Sequence, residues 1–250
     1  MTPTIILAIA ACGLVIGTAV GAVGIGGVLL VPILTLALGI EVKRAVAAAL
    51  FAYLPSGIVA VTLYALRGSV AWREARLVAL GALPFAWVGA QAASRAPAAL
   101  LEFLIGLLLL SGGSYALRPP RQTVTDRRLP PALLIGLGGV TSFGSALTGA
   151  GGAFILLPLL LLLDTPVLTA IGLGQAIILP IAGVASISNV AAGLVDFRLS
   201  AGLAVALSTG IALGTPIAHA LPQQKLRRVL GFLVVAAGGA MLLRQAVGLI

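Results

Sequence analysis

Apolar residues run through this chain in long stretches whose lengths cluster around one value. Runs at 4–20, 45–66, 77–93, 98–117, 130–147, 167–192, 200–218 and 229–250 each approach the length of a bilayer span, and shorter runs at 28–38 and 153–163 lie between them. A hydrocarbon core of about 30 Å needs roughly 20 apolar residues in helical form. Membrane-spanning strands would alternate apolar and polar residues over about 10 positions, and the sequence shows no such alternation. The pattern predicts an all-α fold, a polytopic transmembrane helical bundle.

Composition sharpens this reading. Of the 250 residues 60% are hydrophobic and 8% charged, with a mean hydropathy of +1.21. A soluble domain carries about 25% charged residues because its surface faces water. Six acids and fifteen bases cannot supply such a surface, so the surrounding solvent is lipid. The formal charge of +9 does not point to nucleic acid, because the bases gather at the ends of the runs: Arg67, Arg73 and Arg76; Arg118, Arg121, Arg127 and Arg128; Lys225, Arg227 and Arg228. Positive residues placed this way orient a membrane protein toward the cytoplasmic side. Cys12 is the single cysteine, which excludes an intramolecular disulfide or a multi-cysteine metal site; neither a metal nor a cofactor is expected. Residues 1–4 lack the basic start of a signal peptide, so the first run is read as part of the mature protein.

Sliding the sequence against itself by 125 residues aligns glycines and prolines across half its length. Gly13, Gly24, Gly26 and Gly27 meet Gly138, Gly149, Gly151 and Gly152; Pro55 and Pro97 meet Pro180 and Pro222; Gly68, Gly89, Gly106 and Gly113 meet Gly193, Gly214, Gly231 and Gly238. These residue types mark breaks and close contacts, so the chain reads as a duplication: a first transmembrane repeat at 1–118, a loop at 119–131 and a second repeat at 132–250. One pairing slips, since Pro32 and Pro158 differ by 126. If the short run in each half only dips into the membrane, a half has four crossings and the repeats are parallel; if it crosses, a half has five and they are inverted. With the 119–131 loop inside, the bases divide nine to six in the first case and ten to five in the second, which leaves both open.

Residues 4–38 would extend about 52 Å as one helix, too long for an upright span, so the helix breaks, and Gly24–Gly27 is the place. Unwound backbone at membrane depth must be buried in protein or line a polar cavity. A helix restarting after a break offers free N–H groups and the positive end of its dipole. Two such half-helices, one per repeat, would cradle an anion near mid-membrane. Gly24, Gly26, Gly27, Gly149, Gly151 and Gly152 are therefore candidate anion-binding positions. Gly13, Gly17 and Gly21, spaced by four, read instead as a packing surface.

Ser145 and Thr148 stand just before the second break, where hydroxyls could complete the cradle. Gln175, five residues before Pro180, is the strongest candidate beyond the glycines. Intramembrane polar residues are costly and often functional, although a hydroxyl can simply bond its own helix backbone and Gln175 or Asn189 can join helix to helix. Pro55 and Pro180 are candidate hinges. The six acids, Glu41, Glu74, Glu102, Asp126, Asp164 and Asp196, fall at run ends, so coupling to protons or another ion stays open, as does homodimerisation.

The paired runs Gly24-Ile-Gly-Gly-Val-Leu-Leu-Val-Pro32 and Gly149–Pro158, with Phe51-Ala-Tyr-Leu-Pro-Ser-Gly57 and Arg67-Gly-Ser-Val-Ala-Trp72, resemble the TauE/SafE family, the sulfite exporter or anion permease family, over essentially the whole chain. Each glycine run here has two adjacent glycines where many members have three. The resemblance implies a permease of the bacterial cytoplasmic membrane that carries small, often sulfur-containing anions such as sulfite, sulfoacetate and other sulfonates or carboxylates. It implies no catalytic residue. Two other classes compete: a helical scaffold or assembly protein with closed glycine breaks, and an intramembrane serine hydrolase pairing Ser145 with His219, which would need the two within hydrogen-bond reach.

Overall fold

In the computed structural model the described residues are 3–24, 26–117, 129–220 and 223–247. Most of the 119–131 loop, and the side chains of His219 and Lys225, lie outside them. Helices α1 (Pro3–Val23), α2 (Gly26–Ala37), α3 (Val42–Leu66), α4 (Trp72–Arg95), α5 (Ala98–Leu117), α6 (Pro131–Thr148), α7 (Gly152–Leu162), α8 (Val167–Ala191), α9 (Phe197–Ala220) and α10 (Gln223–Ala246) account for nearly all of them. Six helices, α3 to α6 with α8 and α9, are long and apolar enough to cross a membrane; α2 and α7 are short and apolar. α7, at 11 residues, covers about 16 Å, half a bilayer.

Helix ends follow local sequence. Pro131 opens α6 at a position where no amide hydrogen is needed. α3 and α8 close with the same glycine motif. Ser69 N–H donates to the Tyr64 carbonyl and Gly68 N–H to that of Ala65, while Leu194 and Gly193 do the same to Asn189 and Val190; both glycines have φ of +67°, which an L side chain resists. Helix starts recur at a fixed interval: 42, 72 and 98 for α3, α4 and α5 against 167, 197 and 223 for α8, α9 and α10, each a difference of 125.

Glycines set the helix contacts. α1 lies parallel to α9, with Gly13 facing Ala206 and Gly21 facing Ile211 and Thr215. The packing expected for Gly13, Gly17 and Gly21 is found here. α4 lies parallel to α6 in the same way, Gly81 facing Ile135 and Gly89 facing Phe143 and Ala146. α3 and α8 are antiparallel and cross at their middles, where Gly57 meets Ile178 and Leu179, and Gly183 meets Leu54. α5 and α10 are also antiparallel, Gly106 facing Leu242 and Gly113 facing Val235. Thus α3 and α5 each pair, in the opposite direction, with the helix 125 residues further on. Of the six long helices α3 and α8 are the most buried, and Pro55 and Pro180 lie inside them beside the crossing.

Candidate functional site

Both glycine runs interrupt helices. α1 ends at Val23, and Gly24, with φ of +82°, still donates its N–H to the Val20 carbonyl. The chain then turns back: a Cβ on Gly26 would lie 2.6 Å from that of Ala19 and 2.9 Å from the Ile16 carbonyl oxygen, so α2 begins folded against α1. The second run does likewise. Gly149 caps α6 in the left-handed region, Gly151 (φ 77°, ψ 137°) is extended in a region open essentially to glycine alone, and α7 begins at Gly152. Ile155 of α7 returns to within 2.8 Å of a Cβ built on Gly144.

The reversals bring the starts of α2 and α7 to the α3–α8 crossing. Tyr53, near the middle of α3, donates its hydroxyl hydrogen to the Gly27 carbonyl at 2.7 Å, and the same oxygen lies 3.5 Å from the Gly149 carbonyl. A Cβ on Gly151 would meet the other side of the Tyr53 ring at 3.7 Å. One phenol thus touches both breaks. Gly152 packs against Ile177 and Ile181 of α8, at the level of the crossing. The cap residue of α7 supplies no side-chain hydrogen bond, and the first N–H groups of a helix have no partner within it, so the positive end of α7 opens onto this junction.

Not every predicted position is equivalent. Gly27, Gly149 and Gly151 surround Tyr53, whereas Gly26 and Gly152 mainly let their helices pack on α1 and α8. Gly24 sits on the other flank of the site, beside Ile171 and Gln175. Gln175 is fully buried; its Nε2 donates to the Val20 carbonyl at 3.2 Å, while Oε1 has no partner. Its unused atom is therefore an acceptor, suited to a water or a protonated oxygen more than to an anion. Ser145 is fully buried and its hydroxyl is unpartnered, leaving a donor free. Thr148 donates to the Gly144 carbonyl of its own helix at 2.6 Å. The His219 side chain lies outside the described residues.

Tyr53, which joins the two breaks, was not among the site candidates read from the sequence. Its one available signal was its place two residues before Pro55, in a span whose proline aligns with Pro180. A separate groove of about 360 Å³ on the flank of α3 and α8, bordered by Phe51, Leu54, Gly183, Ile187 and Val190, has the Ser186 hydroxyl as the polar side-chain group in its lining. Among the described residues no cluster of His, Cys, Asp and Glu could hold a metal.

Known proteins bear on this arrangement. The family model described as "Sulfite exporter TauE/SafE" matches residues 9–241. A probable membrane transporter protein of Xylella fastidiosa is 28% identical over 250 residues, covering 93% of each chain. Another of Methanocaldococcus jannaschii is 29% identical over 176 residues, 66% of this chain and 65% of its own, so the match spans just under two thirds of that relative. No solved structure matches.

Proposed function

The chain belongs to the TauE/SafE sulfite exporter family, and from that membership, together with relatives named as probable membrane transporter proteins, we propose that it is a secondary carrier of small anions, sulfite, sulfonates or small carboxylates, in a bacterial cytoplasmic membrane. The anion binds between the starts of α2 and α7. The observation that carries this reading is the junction at Tyr53, where both glycine breaks meet one phenol at the middle of the bundle. Backbone N–H groups and helix dipoles can hold an anion without a buried cation, and among the described residues no Lys or Arg is buried.

In this reading the halves 1–118 and 132–250 are inverted copies related by an axis in the membrane plane. The antiparallel pairing of α3 with α8 and of α5 with α10 supports that relation, because equivalent helices in parallel repeats would run the same way. Each half then makes five passes, with the short helix and its glycine break completing one. Rocking of one half against the other about the crossing, eased by the backbone bonds that Pro55 and Pro180 cannot make, alternates access to the site.

The test is flux of labelled sulfite, sulfoacetate and a small carboxylate into proteoliposomes, with Gly151→Leu as the comparison. Saturable flux, lost in the variant while the protein still folds, is the expected result. No flux of any of the three from folded protein would overturn the reading and favour a membrane scaffold.

A further inference from the structure

Unsatisfied polarity in this bundle is one-sided. The described buried side-chain atoms without a hydrogen-bond partner belong to Thr141, Ser145, Gln175, Ser186 and Asn189, all in the second half. Subtracting 125 from Thr141, Ser145 and Asn189 gives Ile16, Val20 and Tyr64. Tyr64 is fully buried and satisfies its hydroxyl on the Gly21 carbonyl at 2.8 Å. Its counterpart Asn189 is a much shorter side chain, 2% exposed, with Nδ2 unpartnered. An unmet buried donor costs about 1–3 kcal/mol, so the unpartnered donors on α6 and α8 call for an occupant that accepts hydrogen bonds.

Ser145 and Asn189 lie at one level. α4 packs on α6 where Gly89 meets Phe143 and Ala146, next to Ser145. Two residues further along α4, Gln91 Nε2 donates to the Ser188 hydroxyl of α8 at 3.2 Å, next to Asn189. From Gln91 the polar groups continue outward: the Ser94 hydroxyl donates to the Gln91 carbonyl at 2.9 Å, and Lys43 Nζ donates to the Ser94 carbonyl at 3.0 Å. Lys43 lies at the start of α3, where α4, α6 and α8 all end. This is the end of the bundle away from the α5–α6 connection. With five passes in each half, that end carries five of the fifteen bases, which makes it the non-cytoplasmic face.

We infer that Lys43, Gln91, Asn189 and Ser145 line a hydrated passage from the non-cytoplasmic face to the glycine breaks, with an outer anion-binding station at Asn189 Nδ2 and Ser145 Oγ. Its ligand is a small oxyanion, the class proposed above, and the inference rests on that reading. Lys43 supplies the attracting charge at the mouth. The neutral donors at the station bind weakly enough to pass the anion on. The first half, with Ile16, Val20 and Tyr64 at the corresponding positions, lacks such a strip, so the passages on the two faces differ in polarity.

Accessibility can be read without measuring transport. In a Cys12→Ser background, Asn189→Cys and, separately, Val20→Cys are exposed in sealed right-side-out vesicles to sulfonatoethyl methanethiosulfonate, a small anionic thiol reagent, and to its cationic trimethylammonium counterpart. The expected result is labelling of Asn189→Cys, at least about tenfold faster by the anion than by the cation, slowed by sulfoacetate, with Val20→Cys unlabelled. Adding Lys43→Gln should erase most of the charge preference. No labelling of Asn189→Cys from this side, or equal rates for the two reagents, would overturn the inference. Failure of the flux assay would instead count against the carrier reading, since charge-selective labelling does not require turnover.

Discussion

Replacing Tyr53 by phenylalanine removes one oxygen from the α3–α8 crossing and leaves the ring in place. That oxygen donates to the Gly27 carbonyl at 2.7 Å from a side chain only 4% exposed. A neutral hydrogen bond contributes about 0.5–1.5 kcal/mol net, and stranding a buried partner costs about 1–3 kcal/mol. The Gly27 carbonyl lies in the first turn of α2, where helical N–H groups can also reach it, so the cost should fall at about 1–2 kcal/mol. For a chain of this length that lowers the apparent Tm by about 2–8 °C. Tyr64→Phe provides the control: its hydroxyl makes a similar bond, 2.8 Å to the Gly21 carbonyl, in an equally buried place away from the second break. Both variants should lose similar stability by fluorescence-detected unfolding in detergent. Tyr53→Phe alone should also reduce anion kcat/KM, by about 5–30-fold if the same 1–2 kcal/mol is felt at the site. Indistinguishable flux from the two variants would refute the claim that this phenol organises the binding site.

Gly151→Ala should lower the apparent Tm through backbone strain of about 1–3 kcal/mol, because φ is 77° while the nearest atom to the new methyl is 3.7 Å away. Gly136→Ala, inside α6 with nothing within 4 Å, should instead raise it by the equivalent of about 0.5–1 kcal/mol; matching signs would contradict the backbone assignment. Gly89→Val should destabilise by about 1–3 kcal/mol through overpacking, since its Cβ would lie 2.6 Å from the Phe143 carbonyl oxygen, and should show as a lower yield of monodisperse protein. Gln175→Leu should leave stability within about 1 kcal/mol, because the bond lost to Val20 is offset by removal of the unpartnered Oε1. A loss of flux in that variant would show that the acceptor serves transport.

Glycine and proline were the legible part of this molecule. They have few alternatives where a chain must reverse or a helix pair must touch, so the breaks after Val23 and Thr148 and the packing row on α1 could be read from residue type and spacing. The direction in which helices pair was not legible. Base counts of ten to five and nine to six are too close to choose between topologies, whereas the contacts of Gly57 with Ile178 and of Gly106 with Leu242 fix antiparallel pairs directly. Hydroxyls were harder still. Ser145 and Thr148 look alike in sequence, yet one is unpartnered and the other bonds its own helix, a difference set by rotamer and neighbours. Tyr53 stayed hidden because its partners lie 26 and 96 residues away, and no local pattern reports such distances.

A structure determined with a bound anion would show whether it sits between the starts of α2 and α7. The anion that moves fastest in the flux assay can be supplied as its selenium analogue and located by anomalous scattering. The expected result is a peak beside the Tyr53 hydroxyl, within hydrogen-bond reach of backbone N–H groups at Gly27 or Gly151–Gly152. A peak elsewhere in the bundle, with the Tyr53 junction unchanged and dry, would contradict it.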